Sequence, residues 1–225
     1  MILMGYYTPV HATGVVLSAL APWLWGGSPA WVLVALALLY LFPPLMARTL
    51  LALWGQTPRA ATFGSSAFLH WWALSQLQLV FNRLPQLEEL LRMIPGLYSL
   101  WLRLWGARVG RFVFWSPGVV ITDRQLVWVG DRAVIGMGAK IASHIVLRAA
   151  DGTRRLLAAP VVIGAEAMVG GLTIFGPGAR IAPGETPHAT LVLPPFWTWE
   201  RGRRRSPVTG GRPDQPATSP EWSEP

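Results

Sequence analysis

Downstream of Gly106, large aliphatic residues return at every sixth position, a period that fits neither a helix nor an alternating strand. From Val129 the chain reads Val129-Gly130-Asp131-Arg132-Ala133-Val134, then Ile135-Gly136-Met137-Gly138-Ala139-Lys140, then Ile141-Ala142-Ser143-His144-Ile145-Val146. The pattern resumes at Ile163, Val169, Phe175 and Ile181, and the second place of all seven hexads is Gly or Ala. Each hexad predicts a short strand and a bend, with the aliphatic side chain pointing inward and the small residue letting backbones approach at the corner. No single hexad can bury its own apolar side chain, so successive turns must stack into a β-solenoid. Val109-Gly110 and Ile121-Thr122-Asp123 begin the same array, with a two-residue irregularity in Gln125 to Trp128 before the register recovers. The segment Leu147 to Pro160, with Asp151-Gly152-Thr153-Arg154-Arg155 at its centre, interrupts the repeat and is expected as a loop thrust out of the solenoid. These boundaries assign residues 106–195 to the solenoid.

The N-terminal pattern is different. The first 47 residues contain no Asp, Glu, Lys or Arg, and the first acidic residue of the chain is Glu88. Thr8-Pro9 reads as a helix start, Gly26-Gly27 as a stop and Ser28-Pro29 as a second start. Two apolar helices are therefore expected, near Pro9 to Trp25 and near Pro29 to Ala47. Each would be about 25–28 Å long, close to the roughly 30 Å of a bilayer's hydrocarbon core. Residues 1–48 thus predict a transmembrane hairpin; Pro43-Pro44 leaves open a hairpin that dips in and returns. A secretory signal peptide is disfavoured, because Met1 to Tyr7 lacks a basic stretch and a second apolar span follows at once.

Between these regions, residues 49–105 show helical spacing with one wet face. Leu84, Leu87, Leu91 and Ile94 alternate with Glu88, Glu89 and Arg92, and Trp54, Trp71, Trp72, Trp101 and Trp105 crowd the segment. Indole rings favour the headgroup layer, so amphipathic helices lying in the membrane interface are expected. The plain alternative is a helical region packed on the solenoid.

Composition narrows the function. Charged residues are 13% of the chain, about half the share usual in soluble domains. The absence of cysteine excludes disulfides, thiolate nucleophiles and cysteine-ligated metals. A net charge of +8 invites a nucleic-acid reading, but basic residues begin only at Arg48 and then spread through the chain. That distribution fits a cytoplasmic C-terminal bulk on a membrane-bound protein, with no nucleic-acid partner. Gly136-Met137-Gly138-Ala139-Lys140 is not a phosphate loop, because Ile141 stands where Ser or Thr is required. The final segment, residues 196–225, is basic and then Pro-, Ser- and Gly-rich, and is expected to be disordered, with its arginines available to anionic lipid.

The run Gly106-Ala107-Arg108-Val109-Gly110, Ile121-Thr122-Asp123, Leu126-Val127-Trp128-Val129-Gly130-Asp131, Ser143-His144 and Pro160-Val161-Val162-Ile163-Gly164 resembles the membrane-associated branch of the hexapeptide-repeat acyltransferases. The resemblance implies a left-handed parallel β-helix, a homotrimer, and acyl-CoA, acetyl-CoA above all, lying as co-substrate between neighbouring subunits. It also implies a histidine acting on the acceptor, and only His144 matches it. A neutral imidazole can take a hydroxyl proton as the oxygen attacks a thioester. Asp123 is the candidate orienter: if Ile121 and Ile141 stack one coil apart, it lies beside Ser143 and near His144. Where relatives carry Glu-Pro after the Thr, this chain has Asp123-Arg124, and Asp123 as a turn cap stays open. Gly170, Gly171 and Gly176 are candidates for the acyl-CoA groove, against the alternative of corner glycines. Arg180, with Arg154 and Arg155, is a candidate for the CoA phosphates, against ordinary surface arginine. No metal is expected: a zinc hydratase on this solenoid would need three histidines, and the region offers His144 and His188.

The expectation is thus a membrane-bound acyltransferase at the cell (inner) membrane with its catalytic domain on the cytoplasmic face. The acceptor would be a hydroxyl or amine of a sugar, a lipid-linked glycan or a similar membrane-proximal molecule. The reading from another class is a non-catalytic, membrane-tethered scaffold or trimerisation module.

Overall fold

A computed structural model describes residues 5–25, 28, 30–149 and 151–207. The stop signal Gly26-Gly27, the start residue Pro29 and the tail beyond 207 lie outside the described residues.

The sixfold pattern builds a three-faced parallel β-helix. The first coil comprises β2 (Arg108–Val109), β3 (Phe114–Trp115) and β4 (Val120–Ile121). Above it lie β5 (Val127–Val129), β6 (Val134–Ile135) and β7 (Lys140–Ile141), and above those β10 (Val161–Ile163), β11 (Met168–Val169) and β12 (Ile174–Phe175). The strands β13 (Arg180–Ile181), β14 (Val192–Leu193) and β15 (Thr198–Glu200) continue the stack. Every stacked pair is parallel and in register: Val109, Val129, Ile163, Ile181 and Trp199 form one inner column, and Ile121, Ile141, Phe175 and Leu193 another. Trp115, Ile135 and Val169 make the third. All are buried, as are Ala133, Ala139, Ala167 and Ala179, each two residues before an inner-column residue. The irregularity before β5 is a 3-10 turn, Arg124–Leu126.

Close approach of coils explains the small second residue. A Cβ placed on Gly130 would lie 2.4 Å from the backbone nitrogen of Ala165. Gly130→Ala must therefore push two coils apart, at a cost of about 1–3 kcal/mol, and a fall of several degrees in Tm by scanning calorimetry is the expected result.

Two segments differ from expectation. The insertion expected as a loop is an ordered hairpin, β8 (His144–Arg148) with β9 (Arg154–Ala158), and β1 (Ala60–Thr62) adds a third antiparallel strand beside β9. Asp151-Gly152 supplies its turn, with Gly152 at φ +79°, which a residue bearing Cβ rarely adopts. The segment expected to be disordered from residue 196 carries the stack further: Trp199 sits over Ile181, and β16 (Arg203–Arg205) folds back on β15. An aromatic side chain and a Gly202 turn continue the column where the small-residue signature has ended.

Upstream of the solenoid the helices are α1 (Tyr7–Trp25), α2 (Ala30–Tyr40), α3 (Phe42–Trp54), α4 (Ser66–Arg83), α5 (Gln86–Arg92) and α6 (Leu97–Leu104). Among the described residues one helical stretch, Ala30–Trp54, is long and apolar enough to cross a membrane. Of the two expected spans only the second meets that measure, and it runs past residue 48, since Pro43 and Pro44 occupy the first positions of α3, where the missing N–H costs nothing. α1 carries Thr8, His11, Thr13 and Ser18, and His11 is buried with its Nε2 2.7 Å from Leu38 O.

The expected headgroup layer of indoles is largely a protein core. Trp71, Trp101 and Trp105 are buried, and Phe81, Tyr98, Trp101 and Trp105 pack in one cluster with Val109 and Trp115 of the first coil. The helices plug the open end of the solenoid, whose inner column would otherwise face water. Trp54 stays exposed, as do Leu90, Met93 and Leu100 on the outer side.

A buried polar network fastens plug to coil. Arg124, 1% exposed, donates to Glu88 Oε1 through both Nε and Nη2, and to Asn82 Oδ1 (2.9 Å) and Gln78 Oε1 (3.2 Å) through Nη1. The other oxygen of Glu88 accepts from Arg92 Nη2 (3.1 Å) and the Tyr98 hydroxyl. Arg92 in turn donates to Val119 O (2.8 Å) in the solenoid.

Candidate active site

The register of one strand pair brings the two candidate residues together. Ile121 lies over Ile141, so the chain leaving β4 passes Thr122 and Asp123 on the same corner where the chain leaving β7 passes Ser143 and His144. There His144 Nδ1 stands 2.5 Å from Asp123 Oδ2. An ionised carboxylate only accepts, so Nδ1 is the protonated nitrogen and Nε2 carries the free lone pair. The His144 side chain is 29% exposed while that of Asp123 is fully buried. Such a pair can serve chemically as a base with a sheltered orienter and an accessible second nitrogen.

Asp123 is held on both oxygens. Oδ1 accepts from Trp71 Nε1 (2.9 Å), and Oδ2 accepts from the Thr122 hydroxyl (2.7 Å) as well as from His144. Asn82 Nδ2 donates to Thr122 O (3.1 Å), and Ser143 Oγ donates to Leu126 O (3.0 Å), which fixes the backbone on either side. Burial alone would lower the pKa of His144, but the hydrogen bond and negative charge of Asp123 outweigh it, and the imidazole sits above its ordinary value of 6.5. The Trp71 ring lies 4.7 Å from the imidazole, centroid to centroid, closing one side of the dyad.

The other candidates divide. Gly176 follows Phe175, whose carbonyl accepts from Ala142 N, so Gly176 lies on the dyad's corner one coil further along. Gly170 and Gly171 lie on a different corner, beside Met137 and the backbone of His188 and Ala189. A Cβ on Gly170 would come within 2.4 Å of Ala189 N, and one on Gly176 within 2.8 Å of Pro195 N, which is the close packing expected of corner glycines. Arg180 is on β13, facing outward from the sheet that contains β5 and β10. Arg154 and Arg155 are at the far end of the hairpin, where Arg155 lies 3.4 Å from Asp151. Among the described residues no three His, Asp or Glu side chains gather in a way that would hold a metal ion.

Trp71 and Thr122 were not singled out by sequence as site residues. Thr122 had a signal, as the neighbour of Asp123. Trp71 had none, being 52 positions upstream in a helix whose docking face the sequence does not specify.

No family model matches the chain, and no curated protein does. Among solved structures, a hexapeptide-repeat-containing acetyltransferase of Vibrio cholerae is similar over 57% of this chain and 90% of its own, at 14% identity and a TM-score of 0.41. A maltose O-acetyltransferase of Clostridium difficile is similar over 57% of this chain and 86% of its own, at 18% identity and the same TM-score of 0.41. A galactoside acetyltransferase in complex with coenzyme A shares 14% identity over 65% of this chain and 84% of its own, with a TM-score of 0.34. Likenesses of this size fix no activity.

Proposed function

We propose that the protein is a membrane-bound acyltransferase of the hexapeptide-repeat type, using acetyl-CoA or another acyl-CoA and transferring the acyl group to a hydroxyl or amine of a sugar, lipid-linked glycan or similar acceptor. The observation that carries this reading is the His144–Asp123 dyad, with its carboxylate buried and the opposite imidazole nitrogen open. Nε2 takes the acceptor's proton as the oxygen or nitrogen attacks the thioester carbonyl. Asp123 keeps Nδ1 protonated and stabilises the imidazolium that forms. The carbon–sulfur bond then breaks, and the proton passes from Nε2 to the departing CoA sulfur. No acyl group is attached to the enzyme at any stage.

Gly176, on the dyad's corner, is the glycine best placed for the pantetheine arm; Gly170, Gly171 and Arg180 belong to this proposal only as more distant contacts. Phe114, Met168, Ile174 and Val192 are exposed on two outer faces of the helix, and these apolar flanks favour a homotrimer of left-handed coils. The apolar Ala30–Trp54 stretch and the onset of basic residues at Arg48 favour anchorage in the cell membrane with the dyad on the cytoplasmic side.

The test is release of CoA from acetyl-CoA by the full chain in detergent, with and without saccharide, lipid-linked saccharide and amine acceptors. A thiol reagent suits it, since the chain has no cysteine to contribute background. Acceptor-dependent release is the expected result. Its absence with every acceptor class leaves the scaffold reading standing. Because the base must be neutral and its pKa is raised, kcat/KM should climb with pH and level off only above 6.5. A profile already flat below pH 6 contradicts His144 as the base.

A further inference from the structure

The helical region does more than stopper the solenoid. We propose that Trp71 is a positioning residue of the dyad, its indole N–H holding Asp123 Oδ1 so that Oδ2 is presented to His144 Nδ1. The inference rests on the acyltransferase reading for its catalytic meaning and on geometry alone for its physical content.

Asp123 is completely buried, and a buried carboxylate is stabilised by a donor on each oxygen. Within its own corner the solenoid supplies donors to one oxygen only: Thr122 Oγ1 and His144 Nδ1 both reach Oδ2. The donor to Oδ1 comes from α4, a different part of the fold. Remove it and the carboxylate is free to rotate about its Cβ–Cγ bond, and its charge is concentrated on the oxygen facing the imidazole. The same indole packs against the imidazole ring and with Phe68, Leu126 and Leu156 in a small apolar cluster that joins α4, the 3-10 turn and the hairpin. One side chain therefore sets the carboxylate's plane and one wall of the base.

The charged surroundings make the effect readable. On the solenoid side the group facing His144 is Asp123, and from α4 it is the neutral Trp71. Arg124, next in sequence to Asp123, turns its guanidinium away into Glu88, Gln78 and Asn82. On the hairpin, His144 is paired with Ala158, while Arg148 and Arg154 are paired at the opposite end. Asp123 is thus the charged group that raises the imidazole's pKa against its burial, and what Trp71 does to Asp123 appears there.

The test follows the titration of His144 and the Trp71 indole by NMR in the full chain, with labelled His and Trp. In the unaltered protein the Trp71 indole N–H should shift with the same midpoint as His144. Trp71→Phe keeps an aromatic ring, though a smaller one, and deletes the donor, so the less stabilised carboxylate binds imidazolium more tightly. The His144 midpoint should then rise by roughly half to one pH unit, and the same substitution in an Asp123→Asn background should leave it unmoved, whereas a loss of packing alone would raise it in both. The acid limb of kcat/KM should move with it, and kcat at neutral pH should fall several-fold while KM for acetyl-CoA holds. A Trp71 indole that stays silent through the His144 transition overturns the proposal even if the variant does not fold. So does a folded Trp71→Phe protein with an unmoved midpoint. If no acceptor elicits CoA release, the acyltransferase reading fails by itself, and the two titrations still decide the role of Trp71.

Discussion

His144→Ala should lower acceptor-dependent CoA release by about 100- to 10,000-fold, the range a positioned general base contributes. The effect should fall on kcat, because the imidazole acts on the proton in flight and is not needed to hold acyl-CoA. Folding should survive: His144 is partly exposed, opens a hairpin and is not among the buried columns of the coil. The substitution leaves Asp123 with Thr122 and Trp71 as donors, so the buried charge keeps a partner on each oxygen. Steady-state kinetics alongside a melting curve checks both halves. Equal release by the two proteins would remove the dyad from the chemistry.

Glu88→Ala should have the largest effect on stability. It strips two buried guanidiniums, those of Arg124 and Arg92, of their common carboxylate. Breaking a buried ion pair from one side costs about 3–5 kcal/mol, because the remaining charge stays desolvated. For a chain of this size that corresponds to a Tm lower by roughly 6–20 °C. The control is Glu166→Ala. Its pair with Arg132 is more than half exposed on both sides, where ion pairs contribute little, and a shift near zero is expected. Equal melting points for the two variants would show that the Glu88 network does not fasten the helices to the coil. Arg124 adjoins Asp123 in sequence, so a loosened network should also show in activity before the protein melts.

The solenoid was legible because its information is local. Each hexad states its own inner residue and its own corner, and counting sixes recovers the columns through Val129, Ile135 and Ile141. The dyad was legible for a related reason: stacking Ile121 on Ile141 suffices to place Asp123 beside His144, despite the 3-10 turn between the coils. The hairpin had a signal that its interruption of the repeat obscured, namely Asp151-Gly152 between two apolar runs that pair Val146 with Leu156. The fate of the indoles was not legible. A tryptophan at the headgroup layer and one packed against a β-helix look alike in sequence, since both put the ring in an apolar setting and favour a partner for the N–H. Trp101 finds that partner in Tyr40 O and Trp71 in Asp123, contacts that span 61 and 52 positions. No periodicity reports a pairing at such range.

The longest sheet of the coil is guarded at both of its edges. At the lower rim Arg103 donates to Val109 O (2.8 Å) and Gly110 O (2.7 Å), occupying carbonyls that a further strand would seek. At the upper rim β16 doubles back antiparallel on β15 and covers its edge with a strand of three arginines, Arg203 to Arg205, a charged edge that discourages further pairing. Both guards lie on one of the three faces, the sheet that runs from β2 to β16. An unguarded edge of parallel strands would template further strands towards a fibre, and on this face both edges are closed to that pairing.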